Sequence, residues 1–392
     1  MKTRKAIIHI GPVKTGSSTI QTFLLRNYNV LKAKGVHLPL TGDTGHWRDL
    51  FVLPLVNACL DIPPATPWKY DWRSLTRKGL TSLNRKKNQR KLERILSSCL
   101  YSPISIFTFE CFSEMCLDSI AQMKKHLDTC FQEYTVITYL RRQPELFASW
   151  YSQVIQSGVY PFDGTFDEFI SSYFYDENSR FDNYWSMLER WSNVFGKDNV
   201  KPRIFDRKEM VQNDLLDDFS AIAGIDMNGL IRVEPQQVSI DPETTEFMRL
   251  LSLYFPMRYD QSLLSRLQLS DNVILKLFSR PGNVGYRLNR SQASAILNKY
   301  RDSNNTVAKE YFGHETLFSD DLSAYPEETL PHHLTLEKAA EISAAIIEEL
   351  YGELENKNKG FLSRLQRLCR RIKKLPQKIQ GYLNSTLANF LR

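Results

Sequence analysis

No apolar run in the 392 residues is long enough to cross a bilayer, and there is no internal repeat and no low-complexity linker. A spanning helix needs about 20 consecutive apolar residues, so none is expected. The first apolar segment starts by Lys5, which on this reading leaves no room for a leader or anchor ahead of it. Cysteine is sparse. Cys59, Cys99, Cys111, Cys116, Cys130 and Cys369 show neither a C-x-x-C pair nor other metal-ligand spacing, and they read as reduced thiols of a cytoplasmic protein. The sequons at Asn289, Asn304 and Asn384 then carry no meaning.

The body of the chain also lacks an excess of basic charge. The net charge is +7, yet Glu355–Arg392 holds ten Lys/Arg and one acidic residue, which leaves 41 basic and 43 acidic residues in 1–354. A nearly neutral body offers no basic face to a nucleic acid. In the tail, Phe361, Leu365, Leu368, Ile372 and Leu375 form an apolar helical seam among Arg364, Arg367, Arg370, Arg371, Lys373 and Lys374, until Pro376 kinks or ends it. Such a helix either lies on an anionic membrane surface, where each Lys/Arg contributes on the order of 1 kcal/mol, or docks on protein.

What the chain does have is concentrated near its start. An apolar run from Lys5 stops at Gly11, a turn of small residues follows, and Ile20, Phe23, Leu24, Tyr28 and Leu31 then recur at helical spacing. Strand, turn and helix in that order make an anion cradle, because unpaired N–H groups and the positive end of the helix dipole face the turn. Gly11 and Gly16 are spaced as in the Walker A loop G-x-x-x-x-G-K-[ST], but Ser17 stands where the lysine belongs and Lys14 precedes the second glycine. An ATP-using loop needs the lysine after the glycine and a hydroxyl for magnesium.

The segment Lys14-Thr15-Gly16-Ser17-Ser18-Thr19 resembles the 5′-phosphosulfate loop of sulfotransferases that use 3′-phosphoadenosine 5′-phosphosulfate (PAPS), with Val13 in place of the usual proline. The resemblance implies that Lys14, Thr15, Gly16, Ser17, Ser18 and Thr19 bind the 5′-phosphate, with Lys14 also catalytic and no metal required. A second element fits the same family. The β-rich run Tyr134–Leu140 leads into Arg141-Arg142-Gln143-Pro144 and on to Ser149, which resembles the arginine and serine, eight residues apart, that hold the 3′-phosphate. Arg supplies a planar donor fork and Ser a hydroxyl; Arg142 takes the role if the register slips by one, or the arginine pair neutralises nearby carboxylates.

Sulfuryl transfer requires a base for the acceptor hydroxyl. Glu110, at the end of the strand-like run Ile104–Phe109, is the first candidate, as in carbohydrate sulfotransferases; the competing reading is a carboxylate capping the helix that begins near Ser113. His46 is the second candidate. His9 is a third, inside the first strand, where a hydrogen-bonded structural histidine is the simpler reading.

The expected fold is α/β: a P-loop-like parallel β-sheet flanked by helices, with a mainly helical cap over 231–330 within a domain of 1–354, and the basic tail of 355–392. Softer likeness to bacterial sulfotransferases extends over Phe181–Phe205 and Asn298–Gly313. A helix over Leu336–Leu350 is expected with Thr335 as its N-cap. Trp68, Tyr70, Trp72 and Arg73 suit a sugar ring, although ordinary packing explains them too, and the run Arg85–Lys91 fits a solvated helix face. The resemblance therefore implies a bacterial PAPS-dependent sulfotransferase acting on a glycan or glycolipid, cytoplasmic, and peripheral at the inner face of the membrane if its tail lies on a bilayer rather than on protein. The rivals are an ATP-dependent P-loop kinase, which needs a Walker lysine and a magnesium carboxylate, and a non-catalytic nucleotide-binding protein.

Overall fold

The computed structural model describes residues 3–40, 82–157, 164–174, 182–234, 240–254, 285–328 and 334–355. The expectations for His46, for the Trp68–Arg73 cluster and for the tail beyond Glu355 lie outside these residues. Two compact units partition the chain. The first comprises Met1–Leu146, Ser171–Gln237 and Gln292–Leu322; the second comprises Phe147–Ile170, Val238–Ser291 and Ser323–Arg392. Residues 231–330 are shared between them.

The first unit is built on five parallel strands, β1 (Lys5–His9), β2 (Val36–His37), β3 (Ile104–Thr108), β4 (Glu133–Leu140) and β5 (Val200–Ile204). Their spatial order is β2-β3-β1-β4-β5. Parallel neighbours need crossovers, which here include α1 (Ser17–Arg26), α2 (Tyr28–Ala33), α3 (Ser82–Cys99), α4 (Leu117–Leu127) and, later in the chain, α7 (Tyr184–Phe195). Helices on both faces explain why β1 and β4 read as continuous apolar runs: Ala6, Ile7, Ile8, Val136, Ile137 and Tyr139 are all fully buried. One core packs Ile7, Ile106 and Tyr139 against Ile20, Phe23 and Leu24 of α1 and Leu216 and Phe219 of α8 (Leu215–Ala223). On this scale a fully buried Ile or Phe contributes roughly 2 kcal/mol.

Register decides where the site falls. His9 of β1 lies beside Thr108 of β3 and Ile137 of β4, so the segments after His9, Thr108 and Leu140 leave the sheet at the same edge. Because β1 sits between β3 and β4, this edge is also where the strand order changes direction, the usual ligand crevice of an open α/β sheet.

The second unit contains α9 (Pro242–Tyr254), α11 (Leu336–Glu355), the short helix α6 (Phe166–Phe174) up to Ile170, and most of α5 (Gln143–Ser157). Tyr151, Phe166, Phe169 and Tyr286 form its aromatic cluster. Thr335 caps α11 as expected, accepting from the Lys338 N–H at 3.1 Å. The remaining long helix, α10 (Arg290–Val307), ends in a wide turn closed by Gly313 at φ 71°. Among the described residues no helix is long and apolar enough to cross a membrane.

Candidate active site

The loop between β1 and α1 is shaped by three residues with unusual demands. Gly16 caps α1 at φ 84°, a left-handed conformation that favours glycine. A Cβ there would lie 2.4 Å from Leu215 Cδ2 and 3.1 Å from the Phe205 ring. Lys14 is also left-handed, at φ 63°, which is uncommon for a residue with a side chain. Gly11 faces inward: a Cβ there would stand 2.6 Å from Ser17 Oγ and 2.9 Å from His9 Nε2.

Because glycine is the cap, no cap side chain accepts a hydrogen bond at the start of α1, and no acidic residue lies in its first turn. The backbone groups are divided. The Thr19 and Ile20 N–H groups both donate to the Gly16 carbonyl, at 3.0 and 3.1 Å, so Thr19 enters the helix ladder. The Thr15 hydroxyl donates to the Pro12 carbonyl at 2.7 Å and is buried; it braces the loop. Ser18 is half-buried. Ser17 is 2% exposed, and its hydroxyl has no partner. An orphaned buried hydroxyl beside an uncapped helix start is the donor set that an anionic oxygen would complete. These residues therefore fit a phosphate group.

Three charged side chains meet at the loop. Arg141 follows β4, and its Nη1 donates to the Lys14 carbonyl at 3.0 Å while its guanidinium lies over the Phe205 ring, 5.8 Å from the centroid. Its backbone is held from the other side, where its N–H donates to the Tyr184 hydroxyl at 3.2 Å and that hydroxyl donates to its carbonyl. Glu110 opens a 3₁₀ turn (Glu110–Glu114) directly after β3. Burial, and then the neighbouring Arg141 charge, push the Lys14 ammonium down to about 8, with Glu110 opposing the fall. Burial likewise pushes the Glu110 carboxyl up to about 7, against the pull of Lys14. Both groups thus titrate nearer neutrality than a free lysine or glutamate.

The neighbouring arginine has a different task. Arg142 donates to the carbonyls of Ser319 and Asp321, both at 2.9 Å, and pairs with Glu145 at 2.8 Å. Of the two arginines, Arg141 is the one on the loop. Ser149 is half-buried on α5, past the boundary with the second unit. The structure thus brings together Lys14, Thr15, Gly16, Ser17, Ser18, Thr19, Glu110 and Arg141 within the first unit. His9 is fully buried; its Nδ1 shares a hydrogen bond of 2.9 Å with Thr108 Oγ1, and burial pushes its imidazole down to about 3, so it stays neutral.

Several supports have no counterpart in the motifs. Tyr184, Phe205 and Leu215 hold Arg141 and Gly16, and beneath them Asp218, fully buried, accepts from Arg203, the Tyr139 hydroxyl and the Val211 N–H. Their sequence signal is only aromatic and apolar character in the right elements. Among the described residues no group of three or more His, Cys, Asp or Glu side chains is arranged to hold a metal ion.

The sheet order and the loop at its edge define the chain as an α/β protein of P-loop-like architecture. No family model matches it. A protein of Archaeoglobus fulgidus, described only as uncharacterized, is 24% identical over 240 residues, 60% of this chain and 62% of the relative, so the match spans less than two thirds of that protein. Among solved structures, a sulfotransferase from Alicyclobacillus acidocaldarius is similar with a TM-score of 0.39 and 12% identity, over 65% of this chain and 92% of the other.

Proposed function

We propose that the chain is a PAPS-dependent sulfotransferase that moves a sulfuryl group to a hydroxyl or amine of a glycan or glycolipid acceptor. The observation that carries this reading is the lysine inside the loop: Lys14, left-handed and half-buried, is set electrostatically between Arg141 and Glu110. When bound, PAPS supplies the sulfuryl group and carries away the bridging oxygen's electrons on its 5′-phosphate. The loop amides and the Ser17 and Ser18 hydroxyls bind that phosphate. Lys14 stabilises the negative charge that grows on the bridging oxygen, an interaction stronger in the transition state than in the ground state. Glu110 accepts the proton of the attacking acceptor group as the new S–O or S–N bond forms and the S–O bond to the leaving group breaks. Arg141 holds the 3′-phosphate that distinguishes this donor from ATP.

The glycan acceptor rests on the Trp68–Arg73 cluster and the family resemblance, and the placement at a membrane on the basic tail. Calorimetric titration with 3′-phosphoadenosine 5′-phosphate, and with ATP with and without magnesium, tests the donor. The bisphosphate should bind without metal and lose affinity in Arg141→Ala; a preference for ATP would overturn the reading. Lys14→Ala should lower sulfate transfer about 100-fold or more with a smaller loss in bisphosphate binding, and unchanged transfer would remove Lys14 from its role.

A further inference from the structure

Two buried polar atoms beneath the loop have no hydrogen-bond partner, and they belong to different elements. One is Ser17 Oγ at the start of α1, the other is His9 Nε2 at the end of β1. Both lie within 3 Å of the point where a Cβ on Gly11 would stand, so the missing side chain of Gly11 keeps open the space between them. An unmade bond at a buried donor or acceptor is costly. Two such atoms facing one gap need a reason.

We infer that His9 is a positioning residue of the anion cradle: Thr108, His9 and Ser17 form a relay that turns the Ser17 hydroxyl hydrogen toward a bound phosphate oxygen. The relay has two polarities. In one, Nδ1–H donates to Thr108, the Ser17 hydroxyl donates to Nε2, and Ser17 presents only lone pairs to the ligand, which repel an anion. In the other, the Thr108 hydroxyl donates to Nδ1, Nε2–H donates to Ser17 Oγ, and the Ser17 hydrogen is directed at the anion. A phosphate therefore selects the second tautomer. A rotation of the Ser17 side chain makes the missing link. The ring keeps a single proton throughout, since its apolar surroundings, with Tyr139 and Phe219 edge-on, disfavour the imidazolium.

The inference rests on the cradle being a phosphate site, and the experiment separates the two. Full-length protein labelled with ¹⁵N-histidine is titrated with 3′-phosphoadenosine 5′-phosphate, and the His9 ring is identified by its absence in His9→Gln. Binding should move Nδ1 to the unprotonated range and Nε2 to the protonated range. In a double-mutant cycle, His9→Phe and Ser17→Ala should each weaken bisphosphate binding about tenfold, and the double variant no more than either alone. His9→Gln, whose amide nitrogen can replace the Nε2 donor, should retain most of the affinity. If the ligand binds and Lys14→Ala weakens it, but His9 keeps its tautomer and the two losses add, the relay is wrong while the cradle stands. If neither the bisphosphate nor inorganic phosphate binds the wild-type chain, both fall together. Should His9→Phe not fold, the tautomer change and its loss in Ser17→Ala decide the matter.

Discussion

The Lys14–Glu110 pair should give the enzyme a narrow bell-shaped pH profile. In the proposed sulfuryl transfer, Glu110 must be ionised to take a proton and Lys14 charged to meet the leaving oxygen. With Glu110 near 7 and Lys14 near 8, the doubly competent form exists mainly between those values. It accounts for roughly 60% of free enzyme near pH 7.5, and falls about sixfold by pH 6, where Glu110 is protonated, and likewise by pH 9, where Lys14 is neutral. These limbs belong in kcat/KM, which reports free enzyme. Bound phosphates add negative charge beside both groups and favour their protonated forms, so both limbs of kcat should move to higher pH. The assay is sulfate transfer at subsaturating donor from pH 5.5 to 9.5, for wild type and for Lys14→Arg, whose guanidinium does not titrate in this range. The variant should lose its alkaline limb and keep the acidic one. A flat wild-type profile, or an alkaline limb unchanged in Lys14→Arg, would refute the reasoning.

Three further outcomes follow from the packing around the loop. Gly16→Ala should destabilise the fold by about 2–3 kcal/mol in urea melts, from its left-handed backbone and the close approach to Leu215; adding Leu215→Ala should recover only the steric share. Asp218→Ala removes the acceptor of three groups and leaves Arg203 without its carboxylate, and should cost about 3 kcal/mol by thermal unfolding. Arg141→Lys keeps the charge but not the planar fork that reaches the Lys14 carbonyl, so calorimetry should find bisphosphate affinity lowered roughly tenfold.

The sheet and the loop were legible because buried parallel strands and a glycine-capped helix leave local marks: the apolar run from Lys5, the spacing of Gly11 and Gly16, the helical period from Ile20. The strand-end positions of Glu110 and Arg141 were legible for the same reason, since a β-rich run that stops at a charged residue locates the edge of the sheet. The choice between Arg141 and Arg142 was not. It depends on Lys14, Ser319 and Asp321, which lie more than a hundred residues from the pair in the chain. Nor does any spacing show that Tyr184 clamps Arg141 or that Asp218 is enclosed by Arg203 and Tyr139, because such contacts are fixed only when β4, β5, α7 and α8 assemble. The Thr15 hydroxyl is instructive in the opposite sense. Its motif position suggests a ligand contact, yet the turn itself brings the Pro12 carbonyl within reach, and a local acceptor satisfies it first.

The left-handed backbone at Lys14 has a consequence for how this loop changes over evolutionary time. A side chain in that conformation costs on the order of 1 kcal/mol relative to glycine, so every generation offers a stabilising replacement at position 14, by glycine or asparagine, that also deletes the loop cation. On the proposed reading, use of the lysine is what keeps it there. A descendant that had lost its chemistry would drift toward glycine or asparagine at this position while the sheet beneath stayed intact. The residue found there in any relative is thus a record of whether its loop is still in service or has been retired to a structural turn.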